Sequence, residues 1–385
     1  MFVTNPDQLM SASFQRDDVG FVFKSLRAGQ SCALIGIGSV GKSNLMLNLT
    51  RADVRTTYLK DDAAYTLTIY LDPHTLLPLD GNALREAGAL WSGFELMLDR
   101  LYRTLRHVEE NTRSGKRRKS STSADTPTLT DRVGNLLHTL RHGDAVLRQS
   151  GLRHLEEALY EILSADDRWR VAFLFDELQA FGHLPDDFFV ALRGLRDHYK
   201  GRVMYVTTCH TSPSEILPVR DFTGLFGEHT RYISPLDSAS AKEVIERFIT
   251  RYDHDYTIRD SGRVFLNGDF YHVTGGHVGL MRRGFRPAVN YLIAEDRRPL
   301  TEYLLTHDSV RAECQRILDS LTDEEQQVFY HAIVEGEILD IVIWSRLFEK
   351  HIVKTEGGRA EFQMPLLGVY CQQAAESRVR GAERK

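Results

Sequence analysis

A glycine-rich stretch, Gly36-Ile37-Gly38-Ser39-Val40-Gly41-Lys42-Ser43, follows a short apolar run at residues 31–35. It matches the pattern G-x-x-x-x-G-K-[ST] of phosphate-binding loops, or P-loops. Glycines let the backbone turn tightly and aim N–H groups at an anion, and the helix that follows adds its positive N-terminal end. The apolar run predicts a buried strand, and residues 44–49 predict the first turns of a helix. This context favours a P-loop over a chance Gly-rich turn.

The pattern also assigns roles to individual residues. Lys42 is expected to reach the β- and γ-phosphates of ATP, and the Ser43 hydroxyl is expected to bind Mg²⁺. The predicted nucleotide contacts in this stretch are Gly36, Ile37, Gly38, Ser39, Val40, Gly41, Lys42, Ser43 and Asn44.

The second motif, an acidic one, lies far along the chain. Residues 170–175 are apolar after Arg170 and end in Asp176-Glu177, which predicts a buried strand with two carboxylates at its tip. Asp176 is expected to support Mg²⁺, and Glu177 is expected to polarise the attacking water as the catalytic carboxylate. The alternative is an ordinary strand end with two solvated acids, and the upstream P-loop favours the catalytic interpretation.

Missing motifs narrow the class of nucleotide enzyme. The sequence has no Asn-Lys-x-Asp motif, which a GTPase uses to bind guanine. It also lacks the Ser-Gly-Gly-Gln signature of ABC-type ATPases before the acidic strand, since its glycine pair, Gly275-Gly276, comes well after it.

Composition indicates a globular chain that lacks a strong charge bias. The 385 residues are enough for two or three domains, and the net charge of −5 gives no general argument for nucleic-acid binding. The four cysteines have no metal-ligand spacing and are expected to be reduced thiols of a cytoplasmic protein. No apolar run is long enough for a bilayer and the N-terminus has no signal pattern, so no membrane association is expected.

Strand and helix patterns alternate up to about residue 235. This alternation predicts an α/β fold with a parallel sheet covered on both faces, and ligand loops gathered at the carboxyl ends of its strands. Predicted strands lie at 31–35, 66–71, 170–175, 202–207 and 231–234, and predicted helices at 42–50, 83–108, 131–163 and 186–199.

The chain is predicted to hold three domains and a tail. An ATPase domain at 1–235 is followed by a helical lid at 236–308, a winged helix at 309–375 and a flexible tail at 376–385. The winged helix rests on predicted helices at 308–319, 322–334 and 339–350 and a hairpin around Gly357-Gly358. Residues 111–127 carry five basic side chains and no aromatic or aliphatic one, which predicts a disordered insertion. This insertion is either a basic finger for nucleic acid or acidic protein, or merely a solvated loop.

The order of these motifs resembles the AAA+-like P-loop ATPases of the origin-recognition and STAND groups, together with related archaeal and bacterial ATPases. The resemblance covers nearly the whole chain. The P-loop and the acidic strand are its specific motifs, and the others count through their order. The elements are Phe14-Gln15-Arg16, the P-loop, residues 171–177, residues 202–208, Pro235-Leu236, Thr274-Gly275-Gly276-His277 and the predicted winged helix.

The resemblance implies further site residues. Arg16 would lie near the adenine, Thr207 or Thr208 would be sensor 1 at the γ-phosphate or the catalytic water, and Gly276 would belong to the lid motif. Arg282, with Arg283, would supply the cationic sensor 2, or else lie on a solvated helix face. His277 is more typical of a helix start than of a catalyst. Arg220 and Arg231 are candidate arginine fingers, or ordinary surface arginines, and a real finger would require a homo-oligomer.

Three positions depart from the family pattern. Val278 stands where the lid motif usually has proline. After the predicted sensor strand comes Cys209-His210, where STAND proteins commonly have Ser-Arg or Thr-Arg. Met364-Pro365-Leu366 replaces the Met-His-Asp whose histidine holds ADP in many STAND proteins. This change argues against an ADP-locked switch and for the simpler ATPases of the clan.

The sequence therefore predicts an ATPase that uses ATP and Mg²⁺ to move the lid and winged helix. The first hypothesis for its role is association with double-stranded DNA through the winged helix and the basic insertion, in replication, transposition or genome defence. The second is a signalling or defence switch with a protein partner, and the third is a nucleotide-binding scaffold that scarcely turns over. The predicted phosphate contacts on the winged helix are Arg346, Lys350, His351, Lys354 and Arg359.

Overall fold

The structure, a computed structural model, describes residues 10–76, 85–115, 127–142, 150–252, 258–334, 338, 340–356 and 359–382. It divides into two compact units. The sheet unit comprises Val19–Leu34 and Ser43–Arg231. The P-loop unit comprises Met1–Asp18, Ile35–Lys42 and Tyr232–Lys385, so the glycine-rich loop is grouped with the C-terminal part of the chain.

The strands form one five-stranded parallel sheet in the order β2-β3-β4-β1-β5 and a separate two-stranded sheet of β6 and β7. Their bounds are β1 Cys32–Ile35, β2 Thr66–Leu71, β3 Arg170–Phe175, β4 Val203–Cys209, β5 Thr230–Tyr232, β6 Val353–Glu356 and β7 Arg359–Phe362. The α/β fold and the five strands predicted for the sheet are confirmed, with the bounds of β2 and β3 as predicted and those of the other three shifted by at most two residues.

The helices follow the alternation that the sequence predicted, with some additional short ones. In chain order they are α1 Arg16–Arg27, α2 Lys42–Leu49, α3 Ala52–Leu59, α4 Arg85–Gly115, α5 Leu129–His142, α6 Gly151–Ala165, α7 Asp186–His198, α8 Pro213–Ile216, α9 Arg220–Thr223, α10 Ser238–Tyr252, α11 Asp260–Phe265, α12 Tyr271–Thr274, α13 Val278–Ile293, α14 Leu300–Leu305, α15 Asp308–Asp319, α16 Asp323–Val334, α17 Ile341–Glu349 and α18 Pro365–Ala382.

The interior strand β3, between β2 and β4, explains why the sheet forms. Apart from its first residue it is apolar and fully buried, as a parallel strand covered on both faces must be. It pairs with β2 so that Leu71 lies opposite Phe175, and with β4 so that Phe175 lies opposite Thr207. This register brings the carboxyl ends of the three strands level, immediately before Asp176.

The helices differ from the prediction at two places. The single helix expected at 131–163 is two helices, α5 and α6, and residues 143–149 between them lie outside the described residues. Helix α4 continues to Gly115 and so includes the first five residues of the insertion predicted to be disordered, of which 116–126 lie outside the described part. Arg141, in the last turn of α5, donates from Nε to Glu95 Oε1 on α4 at 2.7 Å. Such a tertiary contact at a helix end leaves no trace in helical periodicity.

In the P-loop unit, a glycine pair ends α12 and precedes α13. Gly275 and Gly276 have φ values of +57° and +73°, which other residues adopt only with strain. A Cβ at Gly275 would lie 2.1 Å from Gln363 O, and one at Gly276 would lie 2.3 Å from Leu236 O. Both positions therefore require glycine, and the helix predicted to begin at Val278 is confirmed.

The C-terminal helices contain a buried ion pair. Thr322 and Glu325 form a capping box at the start of α16, because the Glu325 carboxylate accepts from Thr322 N at 2.9 Å and Glu325 N donates to the Thr322 hydroxyl at 3.2 Å. The same carboxylate accepts from Lys350 Nζ at 2.7 Å, and both side chains are 3% exposed or less. The predicted helices at 308–319, 322–334 and 339–350 and the hairpin strands are confirmed as elements, with Gly357-Gly358 outside the described residues.

No helix among the described residues combines the length and the apolar character needed to cross a membrane.

Candidate functional site

In the P-loop, one of the three glycines, Gly41, and the non-glycine residue Ser39 adopt left-handed backbone conformations. Their φ values are +56° for Ser39 and +112° for Gly41. The loop follows β1 and ends where α2 begins, at Lys42. Gly36 is confined by packing, since a Cβ there would lie 2.8 Å from Val40 Cγ1.

Lys42 lies buried against the loop that it ends. Its ammonium donates to Gly36 O at 2.7 Å and to Ile37 O at 2.9 Å. These bonds place a positive charge beside the glycine-rich backbone, as binding of an anion by this loop requires. Ser43 is half-buried and Asn44 exposed in the first turn of α2.

His277 joins the start of α13 to the P-loop. Its Nδ1 accepts from Leu280 N at 3.2 Å, which makes it the N-cap of α13, and its Nε2 lies 2.8 Å from Gly38 O. A carbonyl can only accept, so the proton is assigned to Nε2 and Nδ1 is bare. Complete burial lowers the pKa of His277 to about 4, so the ring is neutral at pH 7. The prediction of a helix-start histidine is confirmed, and its bond to the P-loop was not foreseen.

Two further contacts to the P-loop come from distant parts of the sequence. Gly279 N donates to Ser39 O at 3.1 Å, and the Ser320 hydroxyl accepts from Gly38 N at 2.8 Å. Ser320 lies 282 residues from Gly38, just beyond α15. No motif marks Ser320, so sequence analysis missed it.

In the sheet unit, the carboxylate of Asp176 is held at the end of β3 by two hydroxyl groups. Tyr70 on β2 donates to Asp176 Oδ2 at 2.8 Å, and Thr208 on β4 donates to Asp176 Oδ1 at 2.7 Å. Burial, then the negative charge of Asp176 and this hydrogen bond, raise the pKa of Tyr70 well above its ordinary value, so the phenol remains a donor. Sequence analysis did not single out Tyr70, although its place one residue before the end of β2 could have suggested it.

Glu177 occupies a strained turn directly after the buried carboxylate. Its φ of +52° lies in the left-handed region, which costs a non-glycine residue about 1–2 kcal/mol. Glu177 N donates to the Thr208 hydroxyl at 2.9 Å, so one hydroxyl connects the backbone of Glu177 with the carboxylate of Asp176. Glu177 itself is half-buried. Strain held by such a network is typical of functional turns.

The two threonines proposed as sensor 1 differ sharply. Both are fully buried, but the Thr207 hydroxyl has no hydrogen-bond partner among the described residues, whereas Thr208 bonds both Asp176 and Glu177. The geometry therefore favours Thr208 for a role at the strand ends.

The arginines predicted to lie near the adenine, to form sensor 2 or to act as arginine fingers are mostly exposed. Arg16 is exposed at the start of α1, and Arg282 and Arg283 are exposed on α13, where Arg283 Nε lies 3.8 Å from Glu313 Oε2. Arg220 is exposed, and the Arg231 guanidinium lies 5.8 Å from the centre of the Phe21 ring. None of the contacts described for these arginines indicates a role in binding phosphate.

The residues present fit a magnesium ion of the kind that P-loop proteins use. Mg²⁺ takes oxygen ligands and is commonly held by one or two protein groups together with phosphates and water. Each oxygen of Asp176 accepts one hydrogen bond and keeps a lone pair for an ion, and Ser43 offers a hydroxyl in the first turn of α2. Among the described residues no cluster of three or more His, Cys, Asp or Glu forms a metal cage, which this mode of binding does not need.

The basic side chains predicted to contact DNA are largely engaged elsewhere. Lys350 is buried in the ion pair with Glu325. His351 Nε2 lies 3.1 Å from the Ser234 hydroxyl, and Lys354 Nζ lies 3.9 Å from Glu361 Oε2. The Arg359 side chain lies outside the described residues. The outward positions of α17 are instead mostly apolar, with Ile341, Val342 and Phe348 exposed by half or more. The expectation that Lys350 faces DNA phosphates is wrong, because its ammonium is buried and neutralises the carboxylate of Glu325.

Comparison with solved structures supports the fold. The Walker-type ATPase PABY2304 of Pyrococcus abyssi is 14% identical to this chain with a TM-score of 0.53, and the match covers 96% of this chain and 97% of that one. Cdc6p from Pyrobaculum aerophilum matches at 14% identity and a TM-score of 0.40 over 95% and 96% of the two chains. The Orc1 protein of Aeropyrum pernix, solved in complex with DNA, matches at 16% identity and a TM-score of 0.37 over 97% and 96%.

Neither the protein-family models nor the curated proteins gave a match. At 14% identity the first structural match shows the fold alone, and the other two are too distant to carry an argument. The α/β fold with a parallel sheet, predicted from the sequence, is confirmed, and it is similar to that of the Walker-type ATPase of Pyrococcus abyssi.

Proposed function

We propose that this chain binds ATP and hydrolyses it. The observation that carries the proposal is that one chain holds both a P-loop, whose Lys42 lies buried against the loop backbone, and a carboxylate pair at the end of β3, whose first member is held by Tyr70 and Thr208.

Each part of the chain has a definite task in this proposal. The N–H groups of the loop and the Lys42 ammonium hold the phosphates and offset their negative charge. Ser43 and Asp176 hold Mg²⁺, which when bound neutralises charge on the phosphate oxygens. Glu177 orients a water molecule and accepts its proton as that water attacks the γ-phosphate. The strained backbone at Glu177, bonded to Thr208, fixes the point at which this side chain leaves the main chain.

The use of the energy is the finer part of the proposal. We infer that nucleotide state moves residues 236–308 and 309–375, the predicted lid and winged helix. The His277, Gly279 and Ser320 bonds to the P-loop backbone support this inference, since a change in loop conformation must alter them.

The first candidate for the role is DNA-coupled hydrolysis. It rests on the five basic side chains of the insertion, at positions 113 and 116–119, which would suit contacts with DNA phosphates. The second candidate is a protein partner, and the exposed apolar side chains Ile341, Val342 and Phe348 on α17 favour it.

The test is the rate of ATP turnover by the purified chain, with and without double-stranded DNA, using Glu177→Gln as the blank. Turnover that requires Glu177 is expected, and a wild-type rate equal to the blank would refute hydrolysis. Stimulation by duplex that weakens at higher salt would support DNA coupling, because phosphate contacts release counterions. A Glu177-dependent rate that duplex leaves unchanged would instead support a protein partner.

A further inference from the structure

Ser320 makes an unusual contact for a residue so far from the P-loop in sequence. Its hydroxyl donates to Ile317 O at 2.6 Å, so its one proton is used. Its oxygen then accepts from Gly38 N at 2.8 Å. The N–H of a P-loop glycine, a group that the motif directs at phosphate, is thereby satisfied by a side chain of the protein itself.

The backbone of α15 also lies directly against the loop. A Cβ at Gly38 would be 2.8 Å from Arg316 O and 3.4 Å from Arg316 Cγ. Glycine is therefore required at position 38 because the end of α15 approaches it so closely. This requirement holds whether or not a phosphate also binds the loop there. This approach and the Ser320 bond form one contact, which we term the Ser320 latch (Gly38, Arg316 and Ser320).

A buried negative charge lies beside the latch. Glu313 is 1% exposed, its Oε2 accepts from Arg316 Nη1 at 2.6 Å, and its Oε1 has no hydrogen-bond partner among the described residues. A Cβ at Gly279 would be 2.1 Å from Glu313 Oε1 and 2.7 Å from Ser39 Cβ, so carboxylate and loop lie against the same residue. The charge of Glu313 is paired with Arg316, and Arg283 Nε lies 3.8 Å from Oε2, so an ion pair on α15 lies next to the loop and moves with the end of this helix.

We propose that Ser320 is a further residue of the phosphate-binding site, where its hydroxyl and a nucleotide phosphate oxygen are alternative acceptors for the Gly38 N–H. ATP binding then releases the end of α15 from the loop and takes the Glu313 carboxylate with it. Through the Ser320 latch, binding of a nucleotide at the P-loop thus changes the position of residues 308–382. This inference rests on the proposed nucleotide binding and adds its regulation.

Thermodynamic linkage makes the proposal testable from both sides. If closing the latch weakens ATP binding, then ATP must weaken the latch by the same factor. One hydrogen bond of this kind corresponds to roughly a fivefold change in a dissociation constant.

The experiment uses the full chain with MgATP and MgADP as probes and measures their dissociation constants. Three variants are compared with the wild type: Ser320→Ala removes the latch oxygen, Ser320→Thr keeps a hydroxyl, and Thr306→Ala is the matched control. Thr306 follows α14 and donates to Tyr303 O at 2.7 Å, so its removal deletes the same kind of helix-end bond in a residue that makes no described contact with the P-loop. Hydrogen exchange of the amides of Ser320 and Leu321 is followed with and without MgATP.

The expected result is binding about fivefold tighter in Ser320→Ala, with Ser320→Thr and Thr306→Ala close to the wild type. Exchange at Ser320 and Leu321 should speed up when MgATP binds to the wild type. Equal affinities in Ser320→Ala and Thr306→Ala, or weaker binding in Ser320→Ala, would overturn the latch while leaving nucleotide binding intact. Absence of binding in the wild type and in every variant would overturn the proposed function and the latch together, whereas binding only in Ser320→Ala would support both.

Discussion

The P-loop and the end of β3, the two halves of the proposed ATP-hydrolysing machinery, are stabilised in different ways. The P-loop is held through its backbone, because His277, Gly279 and Ser320 bond the main-chain atoms of Gly38 and Ser39. The end of β3 is held through a side chain, because Tyr70 and Thr208 each donate to the Asp176 carboxylate.

The difference shows what each half can transmit. Backbone bonds from residues more than 230 positions away connect the loop to the C-terminal elements, so the conformation of the loop and of those elements must change together. Hydroxyls from the neighbouring strands β2 and β4 fix a carboxylate within a rigid sheet, which favours a constant geometry. Under the proposed function, the first half would sense the nucleotide and the second would perform the chemistry.

The largest expected effects separate binding from chemistry. Lys42→Ala removes the ammonium beside the loop and should weaken MgATP binding by about 10- to 100-fold, the worth of a charged hydrogen bond. Glu177→Gln keeps the size of the side chain but cannot accept a proton, so turnover should fall by about 10²- to 10⁴-fold with affinity nearly unchanged. Calorimetric titration and steady-state turnover of both variants would check this. Loss of affinity in Glu177→Gln would contradict the division of roles between the halves.

His277 should make the stability of the P-loop unit depend on pH. Its pKa is lowered to about 4 in the folded chain, chiefly by burial, from an ordinary 6.5, so the unfolded chain binds the proton first as pH falls. The free energy of unfolding is therefore highest above pH 6.5. It falls by roughly 3 kcal/mol in total as the pH drops from 6.5 to about 4. The charges that act on His277 are Glu313, which raises its pKa, and Lys42 and Arg282, which lower it.

Urea unfolding of the wild type and of His277→Gln at pH 7 and pH 5 would measure this effect. The variant should be less stable at pH 7 and should lose less stability on going to pH 5. Equal losses in the two proteins would show that the imidazole is not the group responsible.

The adjacent threonines of β4 offer a matched pair in the other half. Thr208→Val leaves the carboxylate of Asp176 and the N–H of Glu177 each short of a partner, which should cost about 2 kcal/mol of unfolding free energy and roughly tenfold in turnover. Thr207→Val replaces a buried hydroxyl that has no described partner and should be neutral or slightly stabilising. Comparable losses in both variants would indicate a packing effect of β4 and not an effect at Asp176.

The sequence predicted those parts of the molecule that depend on local pattern. The P-loop, the strands of the parallel sheet and the helix that begins at Val278 follow from apolar periodicity and from glycine chemistry within a few residues. Asp176 and Glu177 were placed after β3 because a buried strand ends there. The position of each motif could thus be predicted.

What the sequence could not predict depends on contacts between distant residues. Ser320 and Tyr70 belong to no motif, and only the folded chain brings them to Gly38 and Asp176. Lys350 was assigned to DNA because basic residues on a predicted recognition helix usually face outward, yet Glu325 lies buried beside it and requires its charge. A sequence motif shows which charge a side chain carries. Whether that charge can bind a ligand depends on the residues that contact it in the folded chain.

The smallest expected effect tests whether Tyr70 positions the carboxylate of Asp176 or only fills space. Tyr70→Phe keeps the ring and removes the donor to Asp176 Oδ2, while Thr208 still holds Oδ1. Tyr70 is half-buried, so water can replace part of the lost bond, and the unfolding free energy should fall by about 1 kcal/mol. The concentration of Mg²⁺ needed for half-maximal turnover should rise roughly threefold, because the carboxylate gains freedom to rotate away from the ion.

A structural role alone would lower stability and leave the Mg²⁺ requirement unchanged, so the metal titration is the decisive measurement. The pKa of Tyr70 is raised, so the wild-type phenol stays protonated through the neutral and mildly alkaline range, and the threefold difference should not vary with pH there. A difference that disappeared between pH 7 and pH 9 would mean that another titrating group controls the ion. Because Tyr70 and Thr208 hold opposite oxygens of one carboxylate, combining Tyr70→Phe with Thr208→Val should then cost more than the sum of the two single changes.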